Sequence, residues 1–304
     1  MEYILETSGL TKVYGQKEAA RDVNLHIREG QIYGLIGRNG AGKTTIMRMI
    51  SGLSMPTRGS YSLFGKTGAE MRKMLKYVGV LIEHPGLYPR LSAYENLKIK
   101  CLGMGISPSG HVEELLKTVG LENADPKKAV SNYSLGMRQR LGIALALVGD
   151  PRIMILDEPI NGLDPQGIVE VRETLVRLRD EKGITIMVSS HILDELSRVA
   201  DAYGIIHEGT LLDEFSADEL HRRSGQSVMI RVDQAENAVQ ARRGLGIEKV
   251  EMENGLIRVS EQIDRSADMA RAIVNAGIGL QEIYQHGISL EDYYLGVTGG
   301  KHNG

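Results

Sequence analysis

Gly37-Arg38-Asn39-Gly40-Ala41-Gly42-Lys43-Thr44-Thr45 lies between an apolar run, Gln31 to Ile36, and a helical pattern, Ile46 to Ile50. Its glycines allow the backbone to turn tightly and its N–H groups to converge on an anion. The amino-terminal end of the following helix places a partial positive charge at the same point. A strand, a glycine loop, Lys-Thr and a helix in this order are typical of a loop that binds a nucleoside triphosphate. The sequence therefore predicts a phosphate-binding loop.

The polar positions of this loop have expected roles in binding ATP together with Mg²⁺. Lys43 is expected to contact the β and γ phosphates, and the Thr44 hydroxyl to help hold Mg²⁺. The other phosphate contacts are expected from the remaining loop positions, which are Gly37, Asn39, Gly40, Ala41, Gly42 and Thr45. A glycine-rich turn without a ligand is the alternative, and the combined constraints on residue type and context disfavour it.

Length and composition narrow the class of protein. The chain has 304 residues, enough for about two domains, and 42% hydrophobic and 25% charged residues are typical of globular proteins. A net charge of -3 and the lack of a Lys/Arg run predict no nucleic-acid partner. The single cysteine, Cys101, cannot form an internal disulfide, and no signal-peptide pattern is present, so we expect a cytosolic protein. The longest apolar run, Leu141 to Gly149, is shorter than the roughly 20 residues that span a bilayer. Any membrane role would then require a partner.

Two acidic residues follow an apolar run that is typical of a buried strand. Ile153 to Leu156 is entirely apolar, and Asp157 and Glu158 come directly after it. An aspartate at a strand end is what such an enzyme needs to bind Mg²⁺ through water. The neighbouring Glu158 can orient and polarise an attacking water as a general base. Solvated acids at a strand end are the alternative.

Other polar side chains follow predicted strands. The buried-strand pattern from Tyr77 to Ile82 leads into Glu83, and the strand Ile184 to Val188 ends shortly before His191. Ligands of α/β proteins bind where the carboxyl ends of parallel strands meet, so both residues are candidates by position. A lone histidine is more often structural. Tyr14 lies in a region, 3–27, that predicts two antiparallel strands, where it is either a strand aromatic or an adenine-stacking residue.

A helical insertion is predicted at about 91–150. It contains the segment Ser134 to Gln139, which reads Ser-Leu-Gly-Met-Arg-Gln. With the loop, the two acids and the histidine, this segment resembles the nucleotide-binding subunit of an ATP-binding cassette (ABC) transporter, over residues 1–220. The resemblance implies an α/β P-loop NTPase fold of the ABC type, with a mixed sheet core, an antiparallel β subdomain and a helical subdomain. Ser134 to Gln139 is similar to the signature loop, the most specific of these motifs.

The resemblance also implies roles for individual residues. Two chains would bind ATP head to tail, so that Ser134 and Gly136 of one chain contact the γ phosphate held by Lys43 of the other. The N-terminus of the helix after Ser134 suits an anion, although a simple helix N-cap is the alternative for Ser134. Asp164 lies in the segment similar to the D-loop. His191 would be the switch histidine that contacts the γ phosphate, and Tyr14 would stack on adenine.

The sequence departs from the family pattern in two places. Leu135 and Met137 replace a glycine and a glutamine of the usual signature. Glu83 stands where the family usually has a glutamine that touches Mg²⁺ and senses the membrane subunit. The carboxylate of Glu83 is a further candidate ligand of Mg²⁺ and would bind the ion more strongly than glutamine. It also adds negative charge near the γ phosphate and Glu158, so we expect altered coupling or slower turnover. The segments 80–89 and 133–137 resemble the bacterial subgroup that exports, or gives immunity to, bacitracin and lantibiotic peptides.

The tail predicts a separate α+β domain at 221–298. Its order of elements is βαββαβ, with strands at 227–232, 247–252, 256–259 and 280–284 and helices at 235–243 and 267–276. This order is typical of the ferredoxin-like arrangement. Without a cluster of catalytic residues, the domain is interpreted as a packing or dimer-contact module, with a regulatory ligand site as the alternative. Residues 299–304 are expected to be disordered.

The predicted function is ATP hydrolysis coupled to transport. The chain is expected to dimerise with a second copy on ATP and to drive separately encoded polytopic membrane subunits from the cytoplasmic face of the membrane. A soluble cassette ATPase that acts on the ribosome or DNA is one rival. A nucleotide-gated regulatory module is the other. The resemblance places the site for the transported compound in the membrane subunits.

Overall fold

The computed structural model describes residues 3–223, 227–233, 250–253, 256–260, 262, 265–286 and 289–299. The chain divides into two compact units, Met1–Ala217 and Asp218–Gly304. Among the described residues, no helix combines the length and the apolar character needed to cross a membrane.

The first unit alternates strands and helices along most of its length. Its strands are β1 (Tyr3–Tyr14), β2 (Lys17–Val23), β3 (His26–Arg28), β4 (Ile32–Ile36), β5 (Arg58–Leu63), β6 (Val78–Leu81), β7 (Ile153–Leu156), β8 (Thr185–Ser190), β9 (Ala202–His207) and β10 (Thr210–Ser216). Its helices are α1 (Lys43–Ile50), α2 (Gly68–Met74), α3 (Ala93–Gly103), α4 (His111–Thr118), α5 (Leu135–Leu147), α6 (Pro165–Lys182) and α7 (Leu193–Ser197). Helix α8 (Ala217–Arg223) starts at the boundary between the units.

A six-stranded mixed sheet forms the centre of the first unit. Its strand order is β10-β9-β4-β8-β7-β6, with parallel pairing from β9 to β6 and antiparallel pairing of β10 with β9. Every residue of β4, β7 and β8 is buried, as expected for parallel strands covered on both faces. Because these strands run in the same direction, the segments that follow them emerge at one edge. The candidate residues after β4, β6, β7 and β8 therefore share that edge.

A second, antiparallel sheet precedes the phosphate-binding loop. It has the order β2-β1-β3, with β5 also paired to β1. The prediction of two strands over 3–27 is wrong in number, since the chain forms three. Thr7 Oγ1 donates to Val23 O and accepts from Leu25 N, each at 2.8 Å, so that a side chain of β1 bonds to the backbone where the chain passes from β2 to β3. The predicted alternation still holds, because Val23, Leu25 and Ile27 are all fully buried.

The predicted helical insertion lies between β6 and β7 and contains α3, α4 and α5. Helix α3 begins with a capping box in which Ser92 Oγ accepts from Glu95 N and Glu95 Oε2 accepts from Ser92 N. Helix α5 packs against α3, α4 and α6 and against β6. The mixed core, the antiparallel sheet and the helical insertion confirm the predicted fold class.

The second unit is an α+β structure with its own core. Its described elements are β11 (Ser227–Val232), β12 (Val250–Glu253), β13 (Leu256–Val259), α9 (Ser266–Asn275), β14 (Leu280–His286) and α10 (Leu290–Thr298). The antiparallel strand order β12-β13-β11-β14 places the first strand between the third and fourth, as a βαββαβ chain requires. The core residues are Val228, Ile230, Val232, Ile257, Val259, Met269, Ile273 and Ile278.

Some expectations for the tail cannot be compared with the structure. The helix predicted at 235–243, the first residues of the strand predicted at 247–252 and residues 300–304 lie outside the described residues.

Candidate nucleotide-binding site

The loop between β4 and α1 has backbone geometry that glycine alone accommodates readily. Gly42 has a φ of 109°, and a Cβ atom added there would lie 2.5 Å from the carbonyl oxygen of Ala19. A Cβ atom on Gly37 would lie 2.5 Å from the carbonyl oxygen of Ile206. Since Gly42 is the N-cap of α1 and has no side chain, the first N–H groups of the helix are left for an anion.

The ammonium group of Lys43 contacts other groups of the protein. Lys43 is only 5% exposed, and its Nζ donates to the carbonyl oxygen of Gly37 at 2.6 Å. The same Nζ lies 3.0 Å from Glu158 Oε1, a close ion pair between partly buried groups. Because Nζ also donates to the carbonyl oxygen of Arg38 at 3.4 Å, all three donors of the ammonium have partners, and a phosphate would compete with them for this nitrogen.

Asp157 is held by two hydroxyl groups from different elements. Thr44 Oγ1, in the first turn of α1, donates to Asp157 Oδ2 at 2.7 Å. Ser189 Oγ, near the end of β8, donates to Asp157 Oδ1 at 2.6 Å. The carboxylate is buried, so these two donors offset part of the cost of removing it from water.

Glu158 lies between the lysine and the histidine. His191 Nδ1 is 2.7 Å from Glu158 Oε2, while Lys43 Nζ approaches the other carboxylate oxygen. The backbone of Glu158 has a φ of 49°, a left-handed conformation that non-glycine residues seldom adopt, and such strained residues often mark functional sites. The arrangement joins a candidate base to two nitrogen groups that can stabilise negative charge.

Glu83 has a different partner. It follows β6 with a φ of 64°, its side chain is 58% exposed, and its Oε1 lies 2.6 Å from Arg48 Nη2 in α1. The structure therefore pairs Glu83 with an arginine of the loop helix, whereas Asp157 pairs with Thr44. A contact between Glu83 and Mg²⁺ stays a prediction.

Ser134 and Asp164 are both helix N-caps. Ser134 Oγ accepts from Met137 N at 3.1 Å at the start of α5, and Asp164 Oδ1 accepts from Gly167 N at 3.0 Å at the start of α6. The two helix starts are adjacent, since a Cβ atom on Gly136 would lie 3.6 Å from the Cα of Gly167. Contacts of Ser134, Gly136 and Asp164 with a phosphate in a second chain stay predictions.

Tyr14 ends β1 with an accessible ring. Its side chain is 48% exposed, and Lys12 Nζ lies 5.1 Å from the ring centroid. That ammonium also donates to the carbonyl oxygen of Met55 at 2.6 Å. A ring held in this way can stack on a planar base.

The residues at the sheet edge fit Mg²⁺ that keeps most of its water and phosphate ligands. Within the described parts of the chain, no group of three or more His, Cys, Asp or Glu side chains could hold a metal ion. The hydroxyl of Thr44 and the carboxylate of Asp157 supply oxygen donors 2.7 Å apart. Mg²⁺ typically binds proteins through one or two such oxygens together with waters and substrate phosphates.

Sequence reasoning missed three polar residues of this region: Ser189, Arg48 and Lys12. Ser189 and Arg48 contact partners 32 and 35 positions away, and Lys12 is fixed by a carbonyl oxygen 43 positions away, so no local motif indicates these contacts. A weak signal existed for Ser189, because a polar residue directly after a buried strand and near His191 lies at the same sheet edge.

The chain is similar in sequence to known proteins. The ABC transporter family matches residues 20–161. The chain is 42% identical over 303 residues to the bacitracin transport ATP-binding protein BcrA of Enterococcus faecalis, covering 99% of this chain and 98% of the relative. It is 46% identical over 215 residues to the lantibiotic transport ATP-binding protein SrtF of Streptococcus pyogenes, covering 71% and 92% respectively.

Solved structures agree with these relatives. The dimeric post-hydrolysis state of the ATP-binding cassette MJ0796 bound to ADP and Pi superposes with a TM-score of 0.63 at 26% identity, covering 70% of this chain and 98% of that one. CbiO1 from Clostridium perfringens, part of the complex cbiONQ, gives 0.66 at 26% identity, with 81% and 97% coverage. The chain therefore belongs to the ATP-binding, ATP-hydrolysing subunits of ABC transporters.

Proposed function

We propose that this protein hydrolyses ATP at the group formed by Lys43, Glu158 and His191 and thereby drives export of a peptide antibiotic or a similar compound. The observation that carries the proposal is the pair of contacts on Glu158, one to Lys43 Nζ at 3.0 Å and one to His191 Nδ1 at 2.7 Å. They bring the strand ends and the phosphate-binding loop together at one point.

In this proposal the chain's own groups divide the work of phosphoryl transfer to water. Lys43 and the loop N–H groups stabilise charge on the phosphates, Glu158 orients and polarises the attacking water, and His191 contacts the γ phosphate. Thr44 and Asp157 would hold Mg²⁺, which neutralises charge on the β and γ oxygens when bound. Lys43 must exchange Glu158 for phosphate, which frees one carboxylate oxygen for the water.

Two copies are proposed to close on ATP. Ser134, Gly136 and Asp164 lie at the adjacent starts of α5 and α6, where helix N–H groups and dipoles favour an anion. A related cassette forms a dimer. In such a dimer Ser134 would keep its role as N-cap and gain the partner's phosphate.

A separate membrane subunit is proposed as the second partner, which would place the protein on the cytoplasmic face of the membrane. A groove of about 580 Å³ lies between the end of β6 and helices α3 and α5, and Pro85, Tyr88 and Met104 are among its lining residues. Leu53 and Met104 expose apolar surface there. A groove with exposed apolar side chains at its edge suits contact with a partner protein.

Export of a peptide antibiotic is supported by the names of two relatives, which transport bacitracin and lantibiotics. The bacitracin relative matches nearly the whole chain, including the second unit. A nucleotide-gated regulatory role is the second candidate. The Arg48–Glu83 pair favours it, because Glu83 brings a charge to a position where the family usually has a neutral glutamine.

The test compares the wild type with Glu158→Gln, each with Mg²⁺-ATP. We expect hydrolysis by the wild type and a stable ATP-dependent dimer of Glu158→Gln by light scattering. A Glu158→Gln protein that stays monomeric with ATP would contradict the shared site. Copurification with a polytopic membrane protein, and loss of bacitracin or lantibiotic tolerance in cells that carry Glu158→Gln, separate transport from regulation.

A further inference from the structure

Ser189 is a buried hydroxyl at the centre of the site. It lies in β8, is fully buried, and uses its single hydroxyl both as donor and as acceptor. Its Oγ donates to Asp157 Oδ1 at 2.6 Å and accepts from Glu158 N at 2.9 Å. One side chain therefore contacts the two acidic residues at once.

Such a contact is needed because the backbone hydrogen bonds of β7 to its neighbouring strands end here. Leu156 is paired with Val188, and Asp157 N still donates to Leu81 O at 2.8 Å. At Glu158 the backbone turns into a left-handed conformation with a φ of 49°. The Ser189 hydroxyl supplies the acceptor for the N–H of this turned residue, which would otherwise lose its sheet partner.

The same hydroxyl fixes the side chain of Asp157. Thr44 holds Oδ2 from α1, and Ser189 holds Oδ1 from β8, so the carboxylate is restrained from both sides. With only Thr44 left, the carboxylate could rotate about its Cβ–Cγ bond. Its orientation toward a metal ion would then be less well defined, because hydrogen bonds behind a metal ligand are what hold the ligand in its orientation.

We infer that Ser189 is a positioning residue that orients Asp157 for Mg²⁺ and holds Glu158 in its strained backbone conformation for hydrolysis. This inference rests on the proposed function, since it assigns Ser189 to the same site. Ser189 touches neither phosphate nor water in this scheme and acts through its two neighbours. Sequence spacing alone does not indicate the role, because Asp157 and Ser189 are 32 positions apart.

A purely structural role makes a different prediction. If Ser189 only satisfied buried polar groups, its loss would lower the melting temperature and leave the Mg²⁺ dependence of the folded protein unchanged. A positioning role changes the gain in ATP affinity that Mg²⁺ provides. That gain is the ratio of the ATP dissociation constants measured in EDTA and in Mg²⁺, and it requires no turnover.

The experiment uses full-length Ser189→Ala, with ATP binding measured by calorimetry and hydrolysis by phosphate release. We expect kcat to fall about tenfold, the scale of losing one hydrogen bond to a charged group, and the gain from Mg²⁺ to shrink by a similar factor. ATP affinity in EDTA should stay within about twofold, because Lys43 and the loop amides are unchanged.

Thr185→Val is the matched control. It removes a buried hydroxyl from the other end of the same strand, where Thr185 Oγ1 accepts from Gly30 N at 2.9 Å. We expect this variant to keep the wild-type kcat and the wild-type gain from Mg²⁺. The pair Ser189→Thr and Ser189→Val then separates the hydroxyl from packing, since threonine and valine have similar shapes and only threonine can donate.

Ser189→Ala with the kcat and Mg²⁺ gain of Thr185→Val would overturn the inference. Equal kcat values for Ser189→Thr and Ser189→Val would also overturn it, by assigning the effect to packing. A wild type that shows no Mg²⁺-dependent hydrolysis would instead contradict the proposed function, so the two failures are distinguishable.

Discussion

Lys43 Nζ lies 3.0 Å from Glu158 Oε1 while it donates to the carbonyl oxygen of Gly37. The ammonium that is proposed to bind phosphate is thus paired with the carboxylate that is proposed to polarise water. Since the three donors of this ammonium all have partners, the third being Arg38 O, phosphate competes with Glu158 for Lys43 when it binds. The pair therefore links ATP binding to release of the base.

Glu158→Gln should bind ATP more tightly than the wild type, because the neutral amide competes less strongly than a carboxylate for Lys43. Exposed ion pairs contribute up to about 1 kcal/mol, which corresponds to roughly fivefold in affinity, so this largely buried pair should change affinity by at least that factor. Calorimetry in EDTA measures ATP binding in the absence of Mg²⁺, and therefore without hydrolysis. Weaker binding by Glu158→Gln would mean that the pair does not hold the lysine away from phosphate.

Lys43→Met provides the companion measurement. It keeps an unbranched side chain and removes the charge, so ATP affinity should fall about tenfold or more, the loss of a charge-assisted bond. Binding that equals the wild type would assign phosphate recognition to the loop backbone alone.

The Arg48–Glu83 pair predicts a second change in turnover. Glu83→Gln keeps the side-chain shape and removes a negative charge that shares a sheet edge with Glu158. We expect a severalfold higher kcat and a changed Mg²⁺ dependence, because a like charge removed near the site is worth about 1 kcal/mol. The melting temperature should hardly change, since exposed ion pairs contribute little.

Arg48→Gln is the control for that prediction. It leaves Glu83 without its 2.6 Å partner and should shift kcat in the opposite direction. Unchanged ATPase rate and Mg²⁺ dependence in Glu83→Gln would refute the effect assigned to the glutamate.

The sequence predicted the parts of this site that are local in the chain. The loop from Gly37 to Thr45 and the acids after Ile153–Leu156 are each read from one segment, because the residues that act together are consecutive. The contacts between segments were not predictable in the same way. Lys43 meets Glu158, and Ser189 meets Asp157, only because the sheet order β4-β8-β7 places those strands side by side.

Strand order depends on how all the helices pack, and no short motif contains it. The same limit explains the miscounted strands of the first sheet, where the hydroxyl of Thr7 separates β2 from β3 by bonding to Val23 and Leu25. Arg48 was missed for a related reason, since its partner Glu83 lies on β6's loop, 35 positions away.

Tyr14 is predicted to determine the preference for a nucleotide base. Tyr14→Ala should weaken ATP binding by about 1 to 3 kcal/mol, the range for one base stacked on an aromatic ring. Binding of inorganic tripolyphosphate, which has no base, should be unchanged, and calorimetry can measure both ligands. Equal losses for the two ligands would place the effect in the loop and not in base stacking.

Lys12 is expected to act through Tyr14, because its ammonium lies 5.1 Å from the ring centroid and is fixed by Met55 O. Lys12→Met should weaken ATP binding in the wild-type background and have no effect in Tyr14→Ala. Additive losses in the double variant would show that Lys12 acts independently of the ring.

Cys101 offers a probe of the helical insertion. The thiol is fully buried in α3, and burial raises the pKa of the Cys101 thiol. Because the thiolate is the reactive form, both effects should make the native protein react very slowly with a disulfide reagent near neutral pH. Labelling that increases in parallel with urea unfolding would show that the thiol becomes accessible only when α3 unfolds. Native protein that is labelled as fast as the unfolded chain would instead show that α3 opens readily in the native state.

The second unit is expected to be dispensable for hydrolysis itself. It has its own apolar core, and the lantibiotic relative is matched over 92% of its length by 215 residues of this chain, about the size of the first unit. A chain of residues 1–223 keeps α8 and should fold, bind ATP and hydrolyse it at about the rate of the full-length protein, because the site residues belong to Met1–Ala217, a unit that is compact by itself.

The measurement pairs phosphate release with thermal unfolding, using full-length protein as the control. Retained hydrolysis with lost drug tolerance in cells would assign the second unit to the transporter complex or its regulation. A shortened protein that is folded by circular dichroism yet inactive would show that the cassette site depends on residues beyond 223. Because pairwise contacts join Lys43, Asp157, Glu158, Ser189 and His191 within the first unit, we expect the first result.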